Sequence, residues 1–408
     1  MITAKAWGNK HYAVYGLARS GQATVRALLA SGARVTAWDE REEARSQAGG
    51  AELLDLNSAD LTTFDSLIVS PGVPLNTHPL AARAREAGLE IIGDIELFAR
   101  ARAELPPHKV VGITGTNGKS TTTALVHHIL KEAGVPTTMA GNIGLPILAQ
   151  DPLPQGGIYV LELSSFQIDL TQSLDCDVAI LLNITPDHLD RYDSFDAYAA
   201  SKERLLAMSS GFHIDLRSDS GEATGLLRSQ EKWPALQGPH NAQNVEAAVR
   251  TCLHLGLAKE VIGEALRTYP GLPHRLERVR DLHGVLFVND SKATNPEAAA
   301  PALAAYPRIR WIVGGQAKTE ELGETERHLS HVVRAYSIGE SGPMFPRLLR
   351  ERGLDVTEAQ TLENAVKRAA EDSQAGETVL LSPACASFDQ FRNFEARGDA
   401  FKALVGAL

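Results

Sequence analysis

The 408-residue sequence has few cysteines and fewer basic than acidic residues. Its three scattered cysteines, Cys176, Cys252 and Cys385, are too few for a disulfide framework or a thiolate metal site and indicate a reducing compartment. Forty Lys and Arg against fifty Asp and Glu give a net charge of −10, which argues against nucleic-acid binding. Neither a signal-peptide core nor an apolar run of about 18 residues is present, so we expect a cytoplasmic protein without membrane insertion.

Hydrophobic residues make up 44% of the chain, and its length suits two to three domains of roughly 150 residues each. Short apolar runs alternate with helical stretches, which predicts an α/β fold of parallel sheets covered on both faces. Breaks near residue 105 and at Pro270–Arg275 predict three domains, 1–104, 105–272 and 273–408. The predicted strands are Tyr12–Tyr15, Arg34–Trp38, Ser66–Val69, Val110–Thr114, Tyr159–Leu163, Val178–Ile184, Val285–Asn289, Arg310–Val313, Ala335–Ile338 and Val379–Leu381.

The strongest functional signal is Gly-Thr-Asn-Gly-Lys-Ser at 115–120, between a predicted strand and a predicted helix. Small residues let backbone N–H groups reach phosphate oxygens, and the helix N-terminus adds a partial positive charge. Lys119 would reach the β- and γ-phosphates of ATP, and the Ser120 hydroxyl would bind Mg²⁺. Ile113 stands where the strict Walker pattern has glycine, so the loop is a variant. A glycine-rich turn without ligand is the alternative, and the position of the Lys-Ser pair argues against it.

Two further polar positions follow strands of the predicted central domain. Glu162 ends an apolar strand, where an acidic residue in a phosphate-loop domain commonly holds the metal, although a strand-end charge can also simply reach solvent. His188 comes just after the next strand, beside Asp187 and Asp190. A lone histidine is usually structural, but the carboxyl ends of parallel strands form the ligand edge of such sheets.

The first and last segments also place polar loops after strands. The loop Tyr15–Gly21 resembles a dinucleotide fingerprint with Ala18 in place of the middle glycine, which argues against NAD and leaves room for another diphosphate. Near the end of the chain, three polar loops follow strands at Asn289–Asn295, Gly314–Lys318 and Ser382–Gln390. Each could be an ordinary loop, but three from one sheet predict a common binding edge.

Taken in order, these motifs resemble the Mur ligases, which build the peptide stem of peptidoglycan. The resemblance rests on the phosphate-loop variant, Asn183–Tyr192, Leu272–Arg275, Asn289–Asn295, Ser70–Gly72, Gly93–Phe98 and Ser382–Gly398. It covers nearly the whole chain apart from Gly211–Gly238. It implies a Rossmann-like N-terminal domain, a central P-loop ATPase-like parallel-sheet domain and a Rossmann-like C-terminal domain.

The resemblance implies an ATP-dependent ligase that adds D-glutamate to UDP-N-acetylmuramoyl-L-alanine through an acyl phosphate. It also implies two Mg²⁺ sites and a monomer. One alternative is a ligase of the same family that adds a different amino acid. Others are a P-loop kinase or regulatory ATPase without ligation, and a non-enzymatic sensor of nucleotide sugars.

The resemblance assigns roles to individual residues. For ATP they are Gly115, Thr116, Asn117, Gly118, Lys119, Ser120, Thr121, Asn244, Arg275 and Asp290. For the UDP-sugar they are Ser20, Arg41, Gly72, Asn142 and His188, and for magnesium Ser120, Glu162, His188 and Lys202. For D-glutamate they are Thr294, Lys318, Ser387, Phe388 and Phe394. The sequence departs from the family at Arg19 and Ser20, where Leu and Thr are usual, at Gln316, usually Asp, and at Arg392, commonly Lys.

Lys202 is implied to carry a carbamate that ligates the second magnesium. It follows Tyr198 by four positions and precedes Leu205 by three in a predicted helix, and therefore shares their apolar face. Spacing alone favours a lysine whose ammonium extends into water, and the resemblance reverses that order. The proposed catalytic residues are thus Lys119, His188 and Lys202.

Overall fold

The computed structural model describes residues 1–187, 190–218, 230–317 and 319–408. His188 and Lys318, both predicted site residues, lie outside this set. The strands form three sheets that are almost entirely parallel, with helices between them, so the predicted α/β class is confirmed. Among the described residues, no helix combines the length and apolar character that crossing a membrane requires.

The first sheet has the strand order β3-β2-β1-β4-β5. Its strands are β1 (His11–Tyr15), β2 (Arg34–Trp38), β3 (Glu52–Leu53), β4 (Ser66–Val69) and β5 (Ile91–Ile92). Its helices are α1 (Arg19–Ala30), α2 (Glu42–Arg45), α3 (Pro79–Glu86) and α4 (Asp94–Ala101). The helix α3 begins with proline at its first position, where the missing N–H has no partner to lose, after His78 as N-cap.

The second sheet has the order β10-β9-β6-β8-β7. Its strands are β6 (His108–Thr114), β7 (Thr137–Gly141), β8 (Gly157–Glu162), β9 (Val178–Leu181) and β10 (Phe212–Asp215). The helices that follow them are α5 (Lys119–Glu132), α6 (Ser165–Asp169), α7 (Phe195–Ala207), α8 (Pro239–His254) and α9 (Lys259–Thr268). The strand predicted over Val178–Ile184 ends earlier, at Leu181, and the chain then turns toward the phosphate loop.

The third sheet has the order β11-β12-β16-β13-β14-β15. Its strands are β11 (Glu277–Leu282), β12 (Val285–Asn289), β13 (Ile309–Gly314), β14 (Val332–Ile338), β15 (Val356–Gln360) and β16 (Thr378–Leu381). Its helices are α10 (Pro296–Ala305), α11 (Met344–Arg350), α12 (Leu362–Asp372) and α13 (Phe394–Gly406). One strand pair departs from the predicted parallel arrangement, because β11 pairs antiparallel with β12 through a tight turn at His283 and Gly284, both at positive φ.

The chain forms two compact units, Met1–Leu227 with Gln243–Leu266, and Arg228–Ala242 with Arg267–Leu408. The first unit holds two sheets because one hydrophobic core runs through both. Phe98 of α4, for example, packs edge-on against Tyr159 of β8 with 5.0 Å between ring centroids. The second unit holds the third sheet, and the domain limits 1–104, 105–272 and 273–408 remain a proposal.

Strand order indicates where ligands bind in the first and second sheets. The strand β1 lies between β2 and β4, and β6 lies between β9 and β8. The connections from β1 and from β6 therefore leave a crevice at the carboxyl edge, the usual ligand position in open α/β sheets.

Candidate active site

The loop between β6 and α5 has the geometry of a phosphate cradle. Gly118 takes a φ of 83° there, and a Cβ built on it would lie 2.2 Å from Oδ1 of Asn244. Only glycine therefore fits at this position without moving Asn244. The Nζ of Lys119 donates to the carbonyl oxygens of Gly115 (2.9 Å) and Thr116 (2.8 Å). The ammonium thus lies against the loop, within reach of a phosphate bound there.

Two residues that are not among the predicted site residues hold this loop in place. Asn183 accepts a hydrogen bond from the backbone N–H of Asn117 (2.9 Å) and donates through Nδ2 to the Asn117 carbonyl (3.1 Å). The Tyr198 hydroxyl lies 3.1 Å from Oγ1 of Thr116. The signal for Asn183 was its position, because it opens the polar segment that directly follows β9.

Glu162 is the best-placed candidate for a metal ligand among the described residues. It ends β8 opposite Ile113 of β6, just before the phosphate loop, and it is 2% exposed. Its Oε1 accepts a hydrogen bond from Nδ2 of Asn142 (3.2 Å), whereas Oε2 is buried with no hydrogen-bond partner in the described part of the chain. A buried carboxylate oxygen without a partner is costly unless a cation or a donor reaches it.

The residues present fit a magnesium ion shared with a nucleotide. Ser120 is the second residue of the phosphate-loop helix, next to Lys119, and is buried. Mg²⁺ usually takes one or two protein oxygens and completes its shell with waters and substrate phosphates, so Glu162 and Ser120 suffice. No group of three or more His, Cys, Asp or Glu side chains suited to a metal occurs among the described residues, a set that leaves out His188.

Lys202 is buried in α7, at 2% exposure, with its Nζ donating to the Gly115 carbonyl (2.9 Å). The Nζ also lies 4.6 Å from the ring centroid of Tyr198. The alternative of an ammonium extending into water is therefore wrong. Burial, and secondarily the nearby Lys119, lower the pKa of Lys202 to about 7. At neutral pH a substantial fraction is thus the neutral amine, which is the reactive form.

The residues predicted for the UDP-sugar occupy two places in the first unit. Ser20 lies in the first turn of α1, and Arg41 and Gly72 are exposed on loops after β2 and β4. Asn142 lies instead beside Glu162, donating to its carbonyl through the backbone (2.9 Å) and to its carboxylate through the side chain. Arg19 donates to the Gly144 carbonyl (3.1 Å), which links the two places.

Asp39, at the end of β2, organises the carboxyl edge of the first sheet. It is 7% exposed, and it accepts hydrogen bonds from the backbone of Leu17 (2.7 Å) and of Arg41 (2.9 Å). The Arg41 Nε also lies 3.2 Å from its Oδ1. Burial alone would raise the pKa of Asp39, but the hydrogen bonds from Arg41 and Leu17 outweigh it and lower the pKa. Both carboxylate oxygens are therefore used within the protein.

In the second unit, the polar loops after β12, β13 and β16 converge as predicted. Gln316 and Ala386 exchange backbone hydrogen bonds of 2.9 and 3.0 Å, joining the last two loops. The buried Arg397 donates to the Ser291 carbonyl (2.8 Å) and the Cys385 carbonyl (3.0 Å), joining the first and last. Of the residues predicted for D-glutamate, Thr294 lies on the first of these loops, Ser387 is buried on the last, Phe388 is 68% exposed beside it, and Phe394 begins α13.

Arg275 and Asp290, predicted for ATP, also belong to the second unit. Asp290 follows β12 and accepts hydrogen bonds from the Ser382 hydroxyl (2.7 Å) and the Leu276 backbone (3.1 Å). Burial raises the pKa of Asp290 to about 7, against the opposing hydrogen bond from Ser382 and the charge of Arg275. The Nε of Arg275 is buried without a hydrogen-bond partner in the described part of the chain. The other predicted ATP residues, 115–121 and Asn244, lie together in the first unit.

The chain has three mainly parallel sheets connected by helices, and the second sheet carries a phosphate loop at its carboxyl edge. These features place the chain among the multidomain phosphate-loop α/β proteins. Models of three protein-family domains match it: a Mur ligase MurD-like N-terminal domain over residues 10–93, a Mur ligase middle domain over 113–232, and a Mur ligase, glutamate ligase domain over 274–385.

Relatives that match over their full length also indicate the Mur ligase family. The UDP-N-acetylmuramoylalanine–D-glutamate ligase of Novosphingobium aromaticivorans is 57% identical, over 100% of this chain and 97% of the relative. The enzyme of the same name from Zymomonas mobilis is 52% identical, over 100% of both chains. The chain therefore belongs to the Mur ligase family.

Solved structures share the fold at low sequence identity. The UDP-N-acetylmuramate–alanine ligase of Thermotoga maritima has a TM-score of 0.58 at 16% identity, covering 98% of this chain and 99% of that one. The MurF ligase of Thermotoga maritima, solved in complex with ADP, has a TM-score of 0.55 at 17% identity, covering 99% and 97%. These two similarities establish the three-domain fold.

Proposed function

We propose that this protein catalyses the ATP-dependent addition of D-glutamate to UDP-N-acetylmuramoyl-L-alanine, a step of peptidoglycan precursor synthesis. The observation that carries the proposal is the 52–57% identity, across the whole chain, to relatives that bear the name of this ligase. Because ATP and nucleotide sugars are cytoplasmic metabolites, we also infer a cytoplasmic location.

The first step would transfer the γ-phosphoryl group of ATP to the terminal carboxylate of the UDP-sugar peptide, because a free carboxylate is a poor acyl donor. The phosphate loop and Lys119 would orient the phosphates and offset the charge on the transferring group. Magnesium, when bound through Glu162 and Ser120, would supply further charge compensation. The buried, unpartnered Oε2 of Glu162 supports this assignment.

In the second step, the neutral amine of D-glutamate would attack the acyl phosphate through a tetrahedral intermediate. The new C–N bond forms as the C–O bond to phosphate breaks, and inorganic phosphate leaves. D-Glutamate is anionic, so cationic and N–H donors are needed around it, and we assign this role to the loops that carry Thr294, Lys318 and Ser387. Closure around the intermediate would protect it from water.

We further propose that Lys202 carries a carbamate. Its burial and the pKa of about 7 support the proposal, because carbon dioxide reacts with the neutral amine. Lys202→Ala should lose activity and regain part of it with added short-chain carboxylates, which would occupy the vacated anion position. An inactive variant that no carboxylate rescues would contradict the carbamate.

The decisive experiment for the proposed function measures phosphate release from ATP by the purified protein. Release should require both UDP-N-acetylmuramoyl-L-alanine and D-glutamate. A kinase or a regulatory ATPase would turn over ATP without D-glutamate, and a nucleotide-sugar sensor would bind the UDP-sugar without turnover.

A ligase that adds a different amino acid is the second candidate, because the fold is shared with relatives of other specificity. The same assay separates the two when L-alanine, a diamino acid and D-glutamate are offered in parallel. Phosphate release with L-alanine or the diamino acid in place of D-glutamate would favour the second candidate.

A further inference from the structure

The loop that follows β4, Ser70–His78, is loosely packed for a segment assigned to substrate binding. It carries Gly72, one of the residues predicted for the UDP-sugar, and none of its residues is buried. Val73 and Leu75 pack partly against the apolar core of the first sheet. A cavity of about 430 Å³ borders both the loop and α6. Packing alone therefore does not fix the position of this loop.

Two hydrogen bonds tie the loop to the segment that follows β9 of the second sheet. Nη2 of Arg191 donates to the Val73 carbonyl (2.8 Å), and Nδ2 of Asn76 donates to the Asp190 carbonyl (3.2 Å). Both segments lie at the carboxyl edges of their parallel sheets. These bonds therefore connect the edge assigned to the UDP-sugar with the edge that carries the phosphate loop.

The side chain of Arg191 is itself held in one orientation. Its guanidinium carbon lies 4.2 Å from the ring centroid of Phe166, and that ring stacks on Tyr192 with 5.9 Å between centroids and 9° between planes. The Tyr192 hydroxyl in turn donates to Asp169 (2.7 Å). Phe166 and Asp169 belong to α6, which follows the strand that ends in Glu162. A planar guanidinium can stack on a ring and donate in its own plane at the same time, so this arrangement fixes the donor that holds the loop.

The substrate of the proposed reaction must span both edges. Its nucleotide would lie on the first sheet, whereas its terminal carboxylate must reach the γ-phosphate of ATP on the second. A misplacement of about 1 Å between reacting groups can cost about 100-fold in rate. The position of the loop that carries Gly72 therefore affects phosphoryl transfer separately from the binding of either nucleotide.

We propose that Arg191 is a positioning residue for phosphoryl transfer. It ties the loop after β4 to the second sheet, so that the bound UDP-sugar peptide presents its carboxylate to the phosphate loop. Asn76 acts in the same way through its bond to Asp190. This inference rests on the proposed function, because it takes a substrate that spans the two sheets. Arg191 needs no contact with the substrate in this role, because it acts through the loop.

The test compares phosphate release with ligand binding in the full-length protein. In Arg191→Ala, kcat should fall at least about tenfold, because the carboxylate is less well aligned with ATP. The Kd of UDP and that of a non-hydrolysable ATP analogue, both measured by calorimetry, should stay within about threefold of the wild type, because each ligand uses one edge only. Arg191→Lys should recover part of kcat, since an ammonium can donate to the Val73 carbonyl but offers no guanidinium plane. Asn76→Ala should show a smaller fall of the same kind, because Arg191 remains.

Arg350→Ala is the matched control. Arg350 is exposed and donates to the Val356 carbonyl (3.3 Å) within the second unit, so its replacement should leave kcat unchanged.

The proposal is overturned if Arg191→Ala keeps kcat within about twofold of the wild type. It is also overturned if the variant raises the KM for the UDP-sugar at unchanged kcat, since Arg191 would then bind the substrate directly. A fall in the affinities for UDP and the ATP analogue together with kcat would overturn it as well, since Arg191 would then act on the fold alone. A wild type that releases no phosphate with both substrates would instead refute the proposed function, on which this proposal rests.

Discussion

At the scale of single residues, the ammonium of Lys119 donates to two carbonyl oxygens of its own loop, at 2.8 and 2.9 Å. Phosphate oxygens would compete for this cation during phosphoryl transfer, and one such contact typically contributes 10²–10³ in rate. We therefore expect Lys119→Ala to lower turnover at least about 100-fold, measured as phosphate release. UDP-sugar affinity, measured by calorimetry, should be unchanged.

Lys131→Ala is the control for this prediction. Lys131 lies in the last turn of the same helix, α5, and is exposed. Its replacement should leave turnover unchanged. A Lys119→Ala variant that keeps more than about a tenth of wild-type turnover would mean that the loop does not act on the transferred phosphoryl group.

Asp94 gives a stability prediction that depends on pH. It begins α4 with its carboxylate accepting the Ile95 N–H (3.0 Å), and burial raises the pKa of Asp94 to about 6. Between about pH 4 and 6 the folded protein keeps a proton that the unfolded chain has lost, so this group lowers the free energy of unfolding as pH rises. Above about pH 6 Asp94 is ionised in the folded protein as well, and burial of its charge lowers the free energy of unfolding by the full amount.

Asp94→Asn removes that cost, because the amide stays neutral. The variant should exceed the wild type in free energy of unfolding by about 1–3 kcal/mol at pH 8, and the difference should shrink toward pH 4.5. Urea unfolding at several pH values measures it. Asp196→Asn, at an exposed position in the first turn of α7, should show no such pH-dependent gain. A less stable Asp94→Asn protein at pH 8 would contradict the prediction.

At the scale of elements, Gly32 and Gly118 have the same φ of 83° but different surroundings. Comparing a substitution at each position therefore distinguishes the cost of backbone strain from the cost of a steric clash. A Cβ on Gly32, after α1, would meet nothing within 4 Å, whereas one on Gly118 would meet Asn244 at 2.2 Å. Gly32→Ala should therefore cost about 1–2 kcal/mol of stability, through strain alone, with normal activity. Gly118→Ala should cost more and raise the KM for ATP at least about tenfold, because Asn244 must leave the loop.

Urea unfolding and steady-state kinetics of the two variants check this comparison. Equal effects of the two substitutions on the KM for ATP would show that the loop tolerates a side chain, and the cradle would then need another explanation.

Position in the sheet distinguishes the strands that could be predicted from the sequence from those that could not. Every strand predicted from its apolar run lies inside a sheet, whereas β3, β5, β7, β10, β11 and β15 were missed, and each of them is an edge strand. An edge strand has one neighbour and partial exposure, so it is often short, as β3 and β5 are with two residues each, or polar. The strand β11, Glu-Arg-Val-Arg-Asp-Leu, has four charges in six positions and no apolar run to detect.

Some features of the candidate site could also be predicted from the sequence, and others could not. The phosphate loop and Glu162 were predictable because strand, loop and helix follow each other in the sequence. The support of the loop by Asn183 and Tyr198 was not, because their partners are 66 and 82 residues away. Such contacts depend on the packing of distant strands, which a local pattern does not contain.

At the scale of the whole molecule, the first unit needs a segment that comes late in the chain. The side-chain Oδ1 of Asn244 accepts from the Thr122 hydroxyl (3.2 Å), and the Ala265 carbonyl lies 3.1 Å from Nε2 of His128, so α8 and α9 pack on α5. A fragment ending at Leu266 should therefore fold cooperatively and bind UDP, whereas one ending at Ser218 should do neither. Circular dichroism on heating and calorimetry measure both, and a stable fragment 1–218 that binds UDP would contradict the expectation.

The first unit is built from two separate segments of the chain, and this affects how it folds during synthesis on the ribosome. The polypeptide leaves the first unit at Arg228 and returns to it at Gln243, so that unit is complete only after Leu266 has been synthesised. At about 5–20 residues per second, synthesis from the end of α5 at Glu132 to Leu266 takes about 7–27 seconds, during which the surface that receives α8 and α9 is uncovered. Translation pauses before Leu266 would lengthen this exposure, so this stretch is where the growing chain most needs chaperone protection.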